Sequence, residues 1–162
     1  MITLTDSEDL VDFGPIPPEI NRLLQQGVDI HPSDPARARA FFRTAIELAP
    51  DVLPSYRCLF KLQNKLRDFE SARETATSAL FRARTQAGLD ADWRRWTLAQ
   101  LTAAPEYPAR FVLMFLKALA FIELRDGHED LATAYLAQLE QLDPEDGVGA
   151  SVIAALLAHR EA

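Results

Sequence analysis

The sequence predicts an all-α protein of about eight short helices folded as helical hairpins. Three observations lead there. No stretch alternates polar with β-branched residues as a half-buried strand does. Apolar residues recur at helical spacing between turns of proline, glycine and aspartate, such as "HPSDP", "RDGHED" and "DPEDGVG". The chain also writes nearly the same helix twice. "DPARARAFFRTAIELAP" starts at Asp34, and "DFESARETATSALFRAR" starts 34 residues later at Asp68. Asp34, Ala38, Thr44, Ala45 and Ile46 fall in phase with Asp68, Ala72, Ser78, Ala79 and Leu80. Self-similarity at a fixed interval is the mark of a stacked-repeat architecture.

The elements follow in order. Residues 1–17 form an acidic arm expected to be mobile, because Pro15, Pro17 and Pro18 bar a helix interior. Its Asp6, Glu8, Asp9 and Asp12 interleave with Leu10, Val11 and Phe13. One helical domain is expected over 18–162. Its first helix spans about Pro18 to Asp29. Ser33 or Asp34 caps the second, with Pro35 at its first position, and Pro50 closes it after Leu48. The third spans about Pro54 to Lys65, and the fourth opens near Asp68 and reaches about Thr85 before Gly88 breaks the chain. "DWRRWTLAQL" is expected as a short helix from Asp90 or Asp92, and "AAPEYPAR" as a turn. A long apolar helix follows from about Pro108 to Arg125, then one from Glu129 to Leu142 and a last one from Ala150 to Arg160.

Composition excludes several functions. There are 24 acidic and 17 basic residues, a net charge of −7, so a phosphate backbone would be repelled and no nucleic-acid partner is expected. Cys58 is the single cysteine, which leaves no internal disulfide and no multi-cysteine zinc site, and is read as a small buried hydrophobe. His31, His128 and His159 form no metal-binding pair and are read as surface or capping residues. The N-terminus lacks the basic and apolar regions of a signal peptide. "FVLMFLKALAFIEL", Phe111 to Leu124, is too short to span a bilayer and is interrupted by Lys117, so it reads as a buried helix. No membrane partner is expected, and the expected location is cytoplasmic.

No nucleophile elbow, phosphate loop, CxxC or HExxH occurs, so no enzyme, metal or cofactor is expected. The pairs Glu129/Asp130 and Glu145/Asp146 lie at helix starts, where they complement the dipole. Trp93 and Trp96 share a helical face and read as a packing seam rather than a ligand platform.

The repeated segments resemble the tetratricopeptide repeat (TPR) family. In the first, over about 19–52, Ala38-x3-Phe42-x2-Ala45 and Pro50 fit the second helix, and Leu23, Gly27 and Ile30 fit the first. In the second, over 53–86, Tyr56-x2-Leu59 precedes Ala72-x3-Ala76-x2-Ala79, with Phe60 where a small residue is expected and Arg84 in place of the closing proline. In the third, over 113–146, Leu116-x2-Leu119-Ala120 precedes Ala132-x3-Leu136-x2-Leu139 and Pro144. An insertion over 87–112 carries the tryptophans, and 147–160 forms a capping helix.

The resemblance implies a right-handed superhelix, an α–α solenoid of the bacterial small three-repeat kind. It implies a non-catalytic scaffold or adaptor that binds a peptide or helix of a partner protein in a concave groove. The alternative is a secretion or assembly chaperone holding one substrate. The family's carboxylate clamp for chaperone tails is missing: the clamp positions hold Pro54 and Cys58, Met114 and Ala118, and either Ile20 and Leu24 or, in the shifted register, Asn21 and Gln25. The implied groove residues are Arg57, Cys58, Lys61, Asn64 and Lys65 with Met114, Lys117, Ala118, Phe121 and Arg125. Five are basic and none acidic, which suits an acidic segment with an apolar anchor. The arm has that composition and is expected either to solubilise the chain or to occupy the groove. In the last helix Val152, Ile153, Leu156 and Leu157 are expected to face inward. Ser151, Ala154, Ala155 and Ala158 lie opposite, a flat face suited to a homodimer.

Overall fold

A computed structural model describes residues 10–161. Among them lie eight α-helices, one 3-10 turn and no strand. The helices are α1 (Pro18–Ile30), α2 (Pro35–Leu48), α3 (Leu53–Lys65), α4 (Phe69–Ala87), α5 (Leu98–Ala103), α6 (Glu106–Arg125), α7 (Glu129–Leu142) and α8 (Ser151–Glu161). The all-α expectation is met, and none of these helices is long and apolar enough to cross a membrane. The contacts divide into two compact units, one up to Leu62 and one from Gln63 onward.

In the first unit Pro18 and Pro35 open α1 and α2, where a missing N–H costs nothing. Asp34 is the cap of α2, its carboxylate accepting from the Arg37 amide at 3.1 Å. The core gathers Ile20, Leu24, Ala38, Phe42, Ala45, Leu59 and Leu62. Gly27 lies buried in α1 because the Phe42 ring fills the space a β-carbon would take. Part of the arm is held rather than loose. The Gln25 amide donates to the Val11 carbonyl at 2.6 Å and its oxygen accepts from the Val11 N–H at 3.2 Å. Phe13 and Ile16 pack against the core. Asp6, Glu8 and Asp9 lie outside the described residues.

In the second unit Asp68 caps α4 through the Ser71 amide, and Gly88, at φ 73°, ends it in a left-handed turn open to glycine. Arg73 near the start of α4 meets Glu123 and Asp126 at the end of α6, so these helices run antiparallel. The short turn at Gly127 makes α6 and α7 a hairpin. Arg160 of α8 donates to the Leu124 carbonyl, and Lys117 reaches toward Gly149 before α8, so α8 runs parallel to α6. Alanines 72, 76, 79 and 83 of α4 are fully buried, as are Val112, Leu116, Ala120 and Ile122 of α6.

Three expectations are corrected. "DWRRWTLAQL" is a 3-10 turn, Trp93–Arg95, followed by the separate α5. The Gln138 side chain takes the Trp93 and Trp96 carbonyls at 2.8 and 2.9 Å, and Thr97 opens the new helix with a capping box. "EYPAR" belongs to α6, since Pro108 in its first turn forfeits no intrahelical bond. In α8 only Ile153 and Leu157 face inward, while Val152 and Leu156 are 62 % and 45 % exposed. The periodicity there is blurred because apolar residues surround the whole helix.

Candidate functional site

One face of α6 carries Met114, Lys117, Ala118, Phe121 and Arg125, spaced at three and four residues. All five are half-exposed, whereas Phe115, Leu116, Leu119 and Ile122 between them are buried. The apolar run thus forms a buried helix with one open stripe. Arg125 is fixed in place at the end of that stripe. Its Nη1 donates to the backbone carbonyl and the side-chain oxygen of Asn64, at 2.9 and 2.6 Å. The guanidinium lies 5.1 Å from the Phe69 ring centre and 5.7 Å from that of Phe121, within cation–π reach of both. Three of the sequence-derived groove residues, Asn64, Phe121 and Arg125, therefore meet at one point. Lys65 is exposed at the end of α3. Lys117 leans the other way, toward Gly149 and the charge of Asp146.

In the first unit Arg57 and Lys61 are exposed on α3. Cys58 is half-buried rather than a full core residue, and it packs against the core cluster. Burial pushes its thiol up to about 11, partly offset by the charges of Arg57 and Lys61. A thiol so placed is a poor nucleophile at neutral pH. None of Arg57, Lys61, Lys65, Lys117 and Arg125 enters an ion pair among the described residues.

The feature that sequence reasoning missed is a buried carboxylate. Glu123 of α6 is 2 % exposed. Arg73 grips it with Nε at 3.1 and 3.0 Å and Nη2 at 2.8 Å, and reaches Asp126 at 2.5 Å. His128 Nδ1 stands 3.0 Å from the same carboxylate. Burial raises the Glu123 carboxyl, but the hydrogen bonds and charges of Arg73 and His128 outweigh it and hold the group below the ordinary range. Oxygen and nitrogen atoms of Glu123, Asp126 and His128 lie within 4.8 Å of one another, as metal ligands would. The Arg73 cation already stands among them and would oppose a metal ion, so the arrangement is that of a structural ion network. The one available signal was a single acidic residue, Glu123, in an apolar run interrupted otherwise only by Lys117.

Trp93 stacks on Tyr135 at 4.5 Å between ring centres, and the buried Trp96 donates its indole N–H to the Asp90 carbonyl at 2.7 Å. Both tryptophans are therefore committed to packing. Compared with known proteins, the chain matches no family model and no curated protein.

Proposed function

We propose that the protein is a non-catalytic scaffold of the tetratricopeptide type, working in the cytoplasm, that holds an acidic, apolar-anchored segment of a partner protein against α6. The observation that supports this reading is the open stripe of Met114, Lys117, Ala118, Phe121 and Arg125. Neither of its cations closes an ion pair among the described residues although the chain carries a net charge of −7, and Lys117 feels the charge of Asp146 only at longer range. An unpaired cation beside half-exposed apolar side chains gains from a partner that brings both a carboxylate and an apolar anchor. The repeated alanine pattern supports the scaffold reading through its resemblance to the family.

The test is fluorescence polarisation with a labelled synthetic peptide in which aspartate and glutamate alternate with leucine and phenylalanine. Lys117→Glu should weaken binding about tenfold, or 1.4 kcal/mol, and flatten its salt dependence. Lys117→Gln should fall between. Equal affinity across the three proteins would refute the site. Capture of one stoichiometric unfolded substrate from the native cell, rather than a folded assembly, would favour an assembly chaperone.

A further inference from the structure

We infer that the partner segment held on α6 is itself an acidic α-helix, laid along the whole of α6 with one flank of α8 as its side wall. This rests on the reading of the α6 stripe as a binding site. The stripe continues toward the start of α6 through Arg110 and Tyr107, both exposed. From Tyr107 to Arg125 a helix rises about 27 Å, or five turns. Tyr107, Met114 and Phe121 recur every seventh residue, the first exposed and the others half-exposed. Along one edge of that row Arg110 and Lys117 keep the same interval, and along the other so do Ala118 and Arg125. Seven residues of helix rise about 10.5 Å. A facing helix repeats its own side chains at that distance, so an apolar row on it stays in step. An extended peptide repeats one face about every 6.8 Å, so Met114 would fall between two of its side chains.

Both ends of α8 border α6, at Gly149 beside Lys117 and at Arg160, which donates to the Leu124 carbonyl. Val152, Leu156 and Arg160 are spaced by four, so the first two lie on the flank of α8 that Arg160 turns to α6. Both are exposed, and a helix seated on the α6 row would cover them. The charges identify the occupant. Nη1 of Arg125 is spent on Asn64. That leaves Nε and Nη2, the edge that takes a carboxylate through two parallel bonds, without a partner among the described residues. Lys117 closes no ion pair, and Arg110 meets only the exposed Glu106, at 3.6 Å, a contact worth little. Carboxylates on both edges of the arriving helix therefore find a cation. The α6 of a second copy would set cation against cation, so the occupant is a different, acidic helix.

Fluorescence polarisation with two labelled synthetic peptides of one composition tests this. In the first, leucines three and four apart form a stripe bordered by glutamates. In the second, the same residues are reordered so that leucine alternates with polar residues. The first should bind about tenfold more tightly, gain helical circular dichroism on binding, and lose affinity when its central residue is proline. Met114→Gln on α6 and Leu156→Gln on α8 should each weaken it about fivefold, by removing apolar contact without adding charge. Phe81→Gln, at an exposed apolar position on α4, should leave it unchanged. If the alternating peptide binds as tightly or more tightly and Lys117→Glu still weakens it, the helix is overturned while the α6 site stands. Binding of neither peptide overturns both readings. Unchanged affinity for the first peptide in Met114→Gln, in Leu156→Gln or with the central proline overturns the inference, as does an equal loss in Phe81→Gln.

Discussion

Between α1 and α2 a glycine leaves room for the edge of an aromatic ring. Between α4 and α6 the contact ends in a buried carboxylate gripped by a guanidinium. In the first unit Gly27 gives its space to Phe42, with Ala38 and Ala45 completing the seam. In the second, Arg73 of α4 and Glu123 of α6 carry the charge, with Asp126 and His128 beside them. No carboxylate of the first unit is buried among the described residues. One seam is therefore specified by shape and the other partly by charge. Shape complementarity is indifferent to pH and salt, whereas a buried ion pair depends on both members staying charged.

The sharpest way to break the comparison is to remove one member of the charged pair. Arg73→Leu leaves Glu123 buried without its main partner, a defect worth roughly 3–5 kcal/mol in well-buried pairs. Arg73 itself is 29 % exposed, so water can reach part of the vacated site. The expected loss is about 3 kcal/mol in urea unfolding, at the low end of that range. The double variant Arg73→Leu/Glu123→Leu should recover most of this, because an apolar pair of similar volume leaves no uncompensated charge. A loss below about 1 kcal/mol for the single variant, the scale of an exposed ion pair, would show that the network adds nothing beyond a surface contact.

The two seams also differ in how far the sequence revealed them. Ala38, Ala72 and Ala132 were legible because helix crossings demand small residues at fixed spacing, and all three are fully buried. Gly27 was legible for the same reason. The stripe on α6 was legible in outline, since residues three and four apart share a face. Arg73 and Glu123 were not, because they lie 50 residues apart and neither has a neighbour in sequence that signals the pairing. The break at Trp96 escaped because the group that ends the turn, Gln138, comes from another helix. Only Ile153 and Leu157 of the expected α8 stripe face inward, since a helix apolar on all sides gives no periodicity to read.

A methyl group at Gly27 tests the shape-specified seam. The added β-carbon would run into the edge of the Phe42 ring, which is 3 % exposed and has little room to turn away. Overpacking of this kind costs about 1–3 kcal/mol. Alanine returns roughly 0.5–1 kcal/mol, since glycine in mid-helix is disfavoured by that amount. Gly27→Ala should therefore destabilise by about 1–2 kcal/mol, less than Arg73→Leu. Adding Phe42→Leu should relieve the clash, so the two changes together should cost less than the sum of each alone. Strict additivity in the double-mutant cycle would mean that the ring and the glycine do not constrain each other.

Acid should separate the two seams most gently. The folded Glu123 carboxyl lies below its ordinary range, and unfolding returns it to about 4.3. A depressed carboxyl adds stability that is complete above the unfolded value and is lost as pH falls through the folded one. The loss should therefore begin below about pH 4.3 and continue downward. It should be smaller than that of Arg73→Leu, because a protonated carboxyl still hydrogen-bonds and the change leaves no ion stranded. Asp126 and His128 face the same group, and both are exposed residues. Amide exchange, corrected for its intrinsic pH dependence, reads each seam by itself. Protection at Leu119 of α6 should fall between pH 5 and 3 by more than protection at Phe42 of α2. In Glu123→Gln, which cannot titrate, that excess should vanish. An equal fall at both amides in the unsubstituted protein would mean that Glu123 does not set the acid response of its seam.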